Sequence, residues 1–74
     1  MNREQRLTMA DAAATRAASL ARDAERYATH PDHTHKAAPL AAAGALWADV
    51  ARAHAAIATA LPETPEPDEA KQEA

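Results

Sequence analysis

The chain has 74 residues, a formal charge of −3 and no cysteine, which leaves room for one small domain stabilised without disulfides or a cysteine-based zinc site. Alanine dominates, phenylalanine is absent, and Trp47 and Tyr27 are the only aromatic residues. Alanine favours helix and the β-branched and aromatic residues that strands need are scarce, so the expected fold class is all-α.

The chain opens with two candidate helix starts, Asn2 with Gln5 and Thr8 with Asp11, each spaced as a capping pair. The first helix is predicted over about residues 4–29, firm from Thr8 onward. Within it Ala10, Ala13, Ala17, Leu20, Ala24 and Tyr27 recur at steps of three and four, so they share one face. A second, overlapping alanine seam begins at Leu7 and runs through Ala14 and Ala21 to Ala28. The opposite face carries Arg16, Ser19, Arg22, Asp23 and Arg26, in which Arg22/Glu25 and Asp23/Arg26 are spaced for weak surface pairing. Residues 1–7 are polar and no apolar run follows, unlike a secretion signal. Glu4, Asp11, Asp23 and Glu25 interrupt any likeness to an organelle transit peptide, so the expected location is cytoplasmic.

Residues 30–38 read as a connector, because Pro31 breaks the first helix and polar side chains follow it. Asp32 or Thr34 is placed to cap a turn of helix ahead of Pro39. His30, Asp32, His33 and His35 carry ligand types suited to zinc, nickel or copper. They lie in one short loop without cysteine or glutamate to support them, so the reading favoured here is a polar connector with no metal and no cofactor.

The second helix is predicted over about residues 39–61. Pro39 suits a first helical turn, where its missing amide hydrogen has no partner to lose, and Pro62 stops the ladder near Leu61. Leu40, Ala43, Trp47, Val50, His54, Ile57 and Leu61 alternate at steps of three and four, and Leu46 widens that face. Gly44, Ala45, Ala48, Ala51, Ala55 and Ala58 make the remaining surface small and smooth. The span is long enough to cross a bilayer, but Asp49 and Arg52 sit at its centre, which argues against a membrane role.

A short link between two such helices makes an antiparallel αα-hairpin over residues 1–61. In that hairpin the alanine face of the first helix is expected against the bulky face of the second. Leu20, Tyr27, Leu40, Leu46, Trp47, Val50, His54, Ile57 and Leu61 are the expected core and interface. Two helices cannot enclose all of the second one, so apolar surface remains around Trp47 and Val50. Pairing of two hairpins into a four-helix bundle would cover it. His54, alone among the large side chains of this face in being titratable, stands either as a satisfied core-edge histidine or as a pH-sensitive contact.

From Pro62 the chain reads PETPEPDEAKQEA. Five acidic residues against Lys71 give this stretch −4 and leave about +1 on the remainder. Three prolines, like charges and no large apolar group cannot repay the entropy of ordering, so residues 62–74 are read as a disordered, solubilising tail.

No nucleophile stands with a base at helical spacing, no phosphate-binding loop exists with Gly44 as the lone glycine, and the carboxylate pairs of hydrolases are missing from residues 1–61. The sequence therefore points to a non-enzymatic interaction protein, a scaffold, adaptor or inhibitor that pairs with itself or with another protein. A metal- or ligand-responsive regulator built on the histidine connector is the alternative. Nucleic-acid binding through Arg16, Arg22 and Arg26 fits poorly with a nearly neutral body. The alanine and arginine content is that of a GC-rich bacterial or phage genome. If the tail contributes nothing to the core, protease trimming after Leu61 leaves the thermal midpoint nearly unchanged, and a drop of several degrees would show that it docks on the helices.

Overall fold

The computed structural model describes residues 1–63, which form two long helices and no strand. Helix α1 spans Arg3–Ala28 and helix α2 spans Ala37–Ala60, with a 3₁₀ turn at Thr34–Lys36 between them. Of the tail read over residues 62–74, residues 64–74 lie outside the described residues.

The start of α1 is settled by Asn2. Its side-chain oxygen accepts from the Gln5 amide at 2.8 Å, and the Gln5 side chain accepts from the Asn2 amide at 2.8 Å, which closes a reciprocal capping box. Thr8, the rival start, sits inside the helix and donates its hydroxyl to the Glu4 carbonyl at 3.0 Å. The helix is thus complete one turn earlier than its apolar content requires. It ends at Ala28, where the His30 amide donates to the Tyr27 carbonyl at 3.1 Å and Pro31 restricts the residue before it.

Helix α2 begins at Ala37, two residues ahead of the predicted boundary. Pro39 is its third residue, still within the first four positions whose amides have no intrahelical partner, so the proline costs no hydrogen bond there. The expected cap at Asp32 or Thr34 does not form. His33 precedes the 3₁₀ turn and Lys36 precedes α2, and neither makes a side-chain cap bond. Continuity replaces capping, since the His33 amide donates to the His30 carbonyl at 3.0 Å and the Lys36 amide to the His33 carbonyl at 2.9 Å. At the far end Leu61 is extended, as a residue before proline should be, and its amide donates to the Ala58 carbonyl at 3.2 Å.

The two helices run in opposite directions and touch along their lengths. Arg3 meets Glu63, Arg6 meets His54, and Leu20 and Ala21 stand beside Gly44. On α1 the face toward α2 is the predicted seam: Ala13, Leu20 and Ala24 are buried, and Ala10, Ala17 and Tyr27 are half-buried. On α2 the outcome differs from the expectation. The residues turned inward are the small ones, with Gly44 and Ala58 buried and Ala48, Ala51 and Ala55 half-buried, while the bulky stripe lies beside them.

The reason is the distance of approach. A Cβ placed on Gly44 would stand 3.5 Å from the Ala17 carbonyl oxygen and 3.5 Å from Leu20 Cβ, so the α1 backbone itself lies against α2. A tryptophan at that contact would force the axes apart and open gaps along the alanine seam. Burying small stripes on both helices keeps the contact continuous.

Replacement of Gly44 by Ala fits this packing, because each new contact has ordinary van der Waals length. It should stabilise the fold by about 0.5–1 kcal/mol through helix propensity. Ala58 is fully enclosed at 0% exposure, so Ala58→Leu should overpack the seam and cost about 1–3 kcal/mol. Thermal melts of the two variants check both signs.

Candidate interaction surface

Successive residues on a helix are turned by about 100°. The small stripe of α2 (Gly44, Ala48, Ala51, Ala55, Ala58) and the bulky stripe (Trp47, Val50, His54, Ile57, Leu61) are offset by roughly one residue, so they lie side by side on the helix surface. The first stripe is taken by α1. The second is left partly open: Trp47 is 41% exposed, Val50 40%, Ile57 41% and Leu46 67%. Leu40, His54 and Leu61 lie on the border between the two and are half-buried.

The nine residues singled out from the sequence therefore separate into two groups. Leu20 is enclosed between the helices, and Tyr27, Leu40, His54 and Leu61 line the rim of that contact. Leu46, Trp47, Val50 and Ile57 are the more exposed members, so the bulky face expected against α1 is only partly covered by it. Their sizes are what the close helix approach excludes. Leu7 and Met9 of α1 are also exposed large apolar residues.

The open stripe carries no fixed charge. The nearest ones on α2, Asp49 and Arg52, pair with each other about a third of a turn or more away. His54 is the only titratable group on it, and its Nδ1 accepts from the Arg6 guanidinium across the helix pair, Nη1 to Nδ1 being 3.2 Å. A guanidinium can only donate, so Nδ1 is the acceptor in this contact. Arg6 is half-buried, and its Nε is enclosed without a partner. Sequence reasoning did not single out Arg6, although the signal existed: stepping the α1 seam back from Ala10 by four and then three reaches Arg6 and Arg3.

At the opposite end the histidines gather around Tyr27. The His33 ring meets Tyr27 edge-on at 5.7 Å between centroids, His30 lies 4.6 Å from His33, and His35 lies 6.4 Å from His33. Arg26 and Lys36 stand over the Tyr27 ring at 5.0 and 5.3 Å, contacts worth about 0.5–1 kcal/mol each at such exposed sites. One nitrogen of the His30 ring is engaged, since its Nδ1 accepts from the Asp32 amide at 3.3 Å. Among the described residues no three histidine, aspartate or glutamate side chains stand where they could hold one metal ion. Of the surface pairs, Asp23 and Arg26 meet at 3.2 Å.

No helix among the described residues is long and apolar enough to cross a membrane. Comparison with family models, with curated proteins and with solved structures finds no match for the chain.

The arrangement around Tyr27 is one of ring packing and one local hydrogen bond, which predicts no stoichiometric zinc or nickel binding at micromolar strength. Isothermal titration of the untagged protein checks this. Saturable binding that is lost when His30, His33 and His35 are changed together to Ala would contradict it.

Proposed function

We propose that this protein is a small helical protein–protein interaction module that works as a homodimer. Two αα-hairpins meet through the bulky stripes of their α2 helices and form a four-helix bundle, a cytoplasmic scaffold, adaptor or inhibitor whose activity is binding rather than catalysis.

The observation that supports this is the use of α2 on two sides. Its small stripe is occupied by α1, and its large apolar side chains stand together on a neighbouring stripe that a lone molecule leaves in water. Among the described residues only Ala13, Leu20, Ala24 and Ala58 are buried hydrophobic residues, a meagre core, because enclosing an alanine removes far less apolar surface than enclosing a leucine or tryptophan. Burying the second stripe supplies the missing part.

A second copy is the occupant best suited to it. The stripe is apolar and free of fixed charge, so an identical stripe complements it, and one two-fold contact satisfies both copies. The formal charges of residues 1–63 cancel, with seven basic residues against seven acidic, and the net −3 of the chain lies in residues 64–74. From Trp47 to Leu61 the stripe runs about 21 Å along α2.

Light scattering across a dilution series, with circular dichroism recorded in parallel, tests the reading. A dimer that loses helix as it dissociates is the expected result, since folding and assembly are linked. Trp47→Ala should cost about 3–5 kcal/mol in the assembly, far more than truncation of a side chain that stays 41% exposed. A stably helical monomer at every concentration would remove the basis for the proposal.

A further inference from the structure

Within α2 the bulky stripe has the same spacing read from either end. Leu40, Ala43, Trp47, Val50, His54 and Ile57 follow one another at steps that alternate three, four, three, four, three, and this pattern is symmetric about the middle of Ala37–Ala60, between Ala48 and Asp49. We propose that two copies meet with their α2 helices antiparallel, the two-fold axis crossing the helices at that midpoint. The inference rests on the homodimer reading and specifies how the second copy sits on that face.

Two-fold symmetry allows two arrangements of the pair. With the axis along the helices each residue meets its own copy, so Trp47 stands on Trp47, His54 on His54 and Ala43 on Ala43. The tryptophans then hold the helices apart, and the alanines one turn away cannot meet across the same gap. With the axis across the helices Trp47 stands level with Val50 of the other copy, Leu40 with Ile57, and Ala43 with His54. No layer holds two tryptophans or two alanines, which suits the steady axis separation and close packing of paired helices. Trp47 and Val50, 41% and 40% exposed in the single hairpin, come to the centre of the contact, where exclusion of water is most complete. His54, the one polar member, faces the smallest, while its ring stays 3.2 Å from Arg6.

Charge favours the same arrangement. Residues 1–63 carry no net formal charge, and the −3 of the chain follows Glu63. Hairpins pointing the same way bring the starts of two such segments to one end, like charge beside like. Antiparallel hairpins bring them to opposite ends, each beside the connector end of the other copy, where Arg22, Arg26 and Lys36 balance Asp23, Glu25 and Asp32. The fixed charges of α2 stay out of the contact, since Asp49 and Arg52 pair with each other off the stripe.

The chain has no cysteine, so an introduced one is a unique handle for the test. Ala43→Cys and His54→Cys are made as single variants of the full chain and oxidised separately and as an equal mixture left to exchange subunits. Disulfide-linked dimer should form in the mixture and in neither variant alone, because like positions lie about 17 Å apart along the antiparallel helices, beyond the span of a disulfide. Ala60→Cys, exposed and off both stripes, carries a spin label without touching the face, and the two labels should stand about 35 Å apart along the axis. This distance decides the matter alone should His54→Cys fail to pair, and circular dichroism confirms that each variant is helical. Linkage within each single variant, or labels abreast of each other, shows a parallel pair, which overturns the inference and leaves the homodimer standing. A dimer with no mixed linkage and a different label separation overturns it too. Sedimentation of the wild-type chain as a monomer overturns this inference and the homodimer together.

Discussion

The close approach of α1 and α2 at Gly44 is the constraint from which the rest of the structure follows. With a Cβ at that position only 3.5 Å from the Ala17 carbonyl, nothing larger than alanine fits the inner stripe of α2. Large side chains must then lie elsewhere on the helix. Because they too repeat at steps of three and four, they gather in an adjacent stripe instead of scattering over the surface. A tight pair of helices and an open apolar face are two outcomes of one packing decision.

That decision sets the energetics. Small residues pack to high density but remove little apolar surface each, so the helix pair gains close van der Waals contact and only a limited hydrophobic contribution. The ion pairs add little, since Asp23/Arg26, Asp49/Arg52 and Arg3/Glu63 are all solvent-exposed. The residues able to contribute most, Trp47, Val50, Ile57 and Leu46, keep two fifths or more of their surface exposed among the described residues. In our reading the molecule defers its largest stabilising term to association.

Much of this was legible in the sequence. The alanine content and the prolines at 31, 39 and 62 marked two helices and their limits, and the seam through Ala13, Leu20 and Ala24 was readable from spacing alone. What misled was size. Both stripes of α2 have helical periodicity, and ranking residues by hydrophobicity places the large ones inside, whereas α1, being nearly all alanine on its inner face, packs best against another small surface. Periodicity identifies which residues share a face, but the choice between two faces depends on the partner helix. The capping of α1 by Asn2 and Gln5 was likewise visible. The uncapped entry to α2 was not, because the 3₁₀ turn satisfies by backbone hydrogen bonds what a side-chain cap would otherwise supply. Arg6 escaped notice because a charged residue in an apolar seam is read as the seam's end, when its long stem lets it continue the stripe while its head finds His54.

Trp47 is the single tryptophan of the chain and stands on the open stripe, so its fluorescence reports on that face without labelling. The account predicts an emission maximum characteristic of a buried indole at high protein concentration, shifting to longer wavelength on dilution over the same range in which the mass falls from dimer to monomer. An emission maximum that stays at the solvent-exposed position at every concentration, with helix content constant, would contradict it.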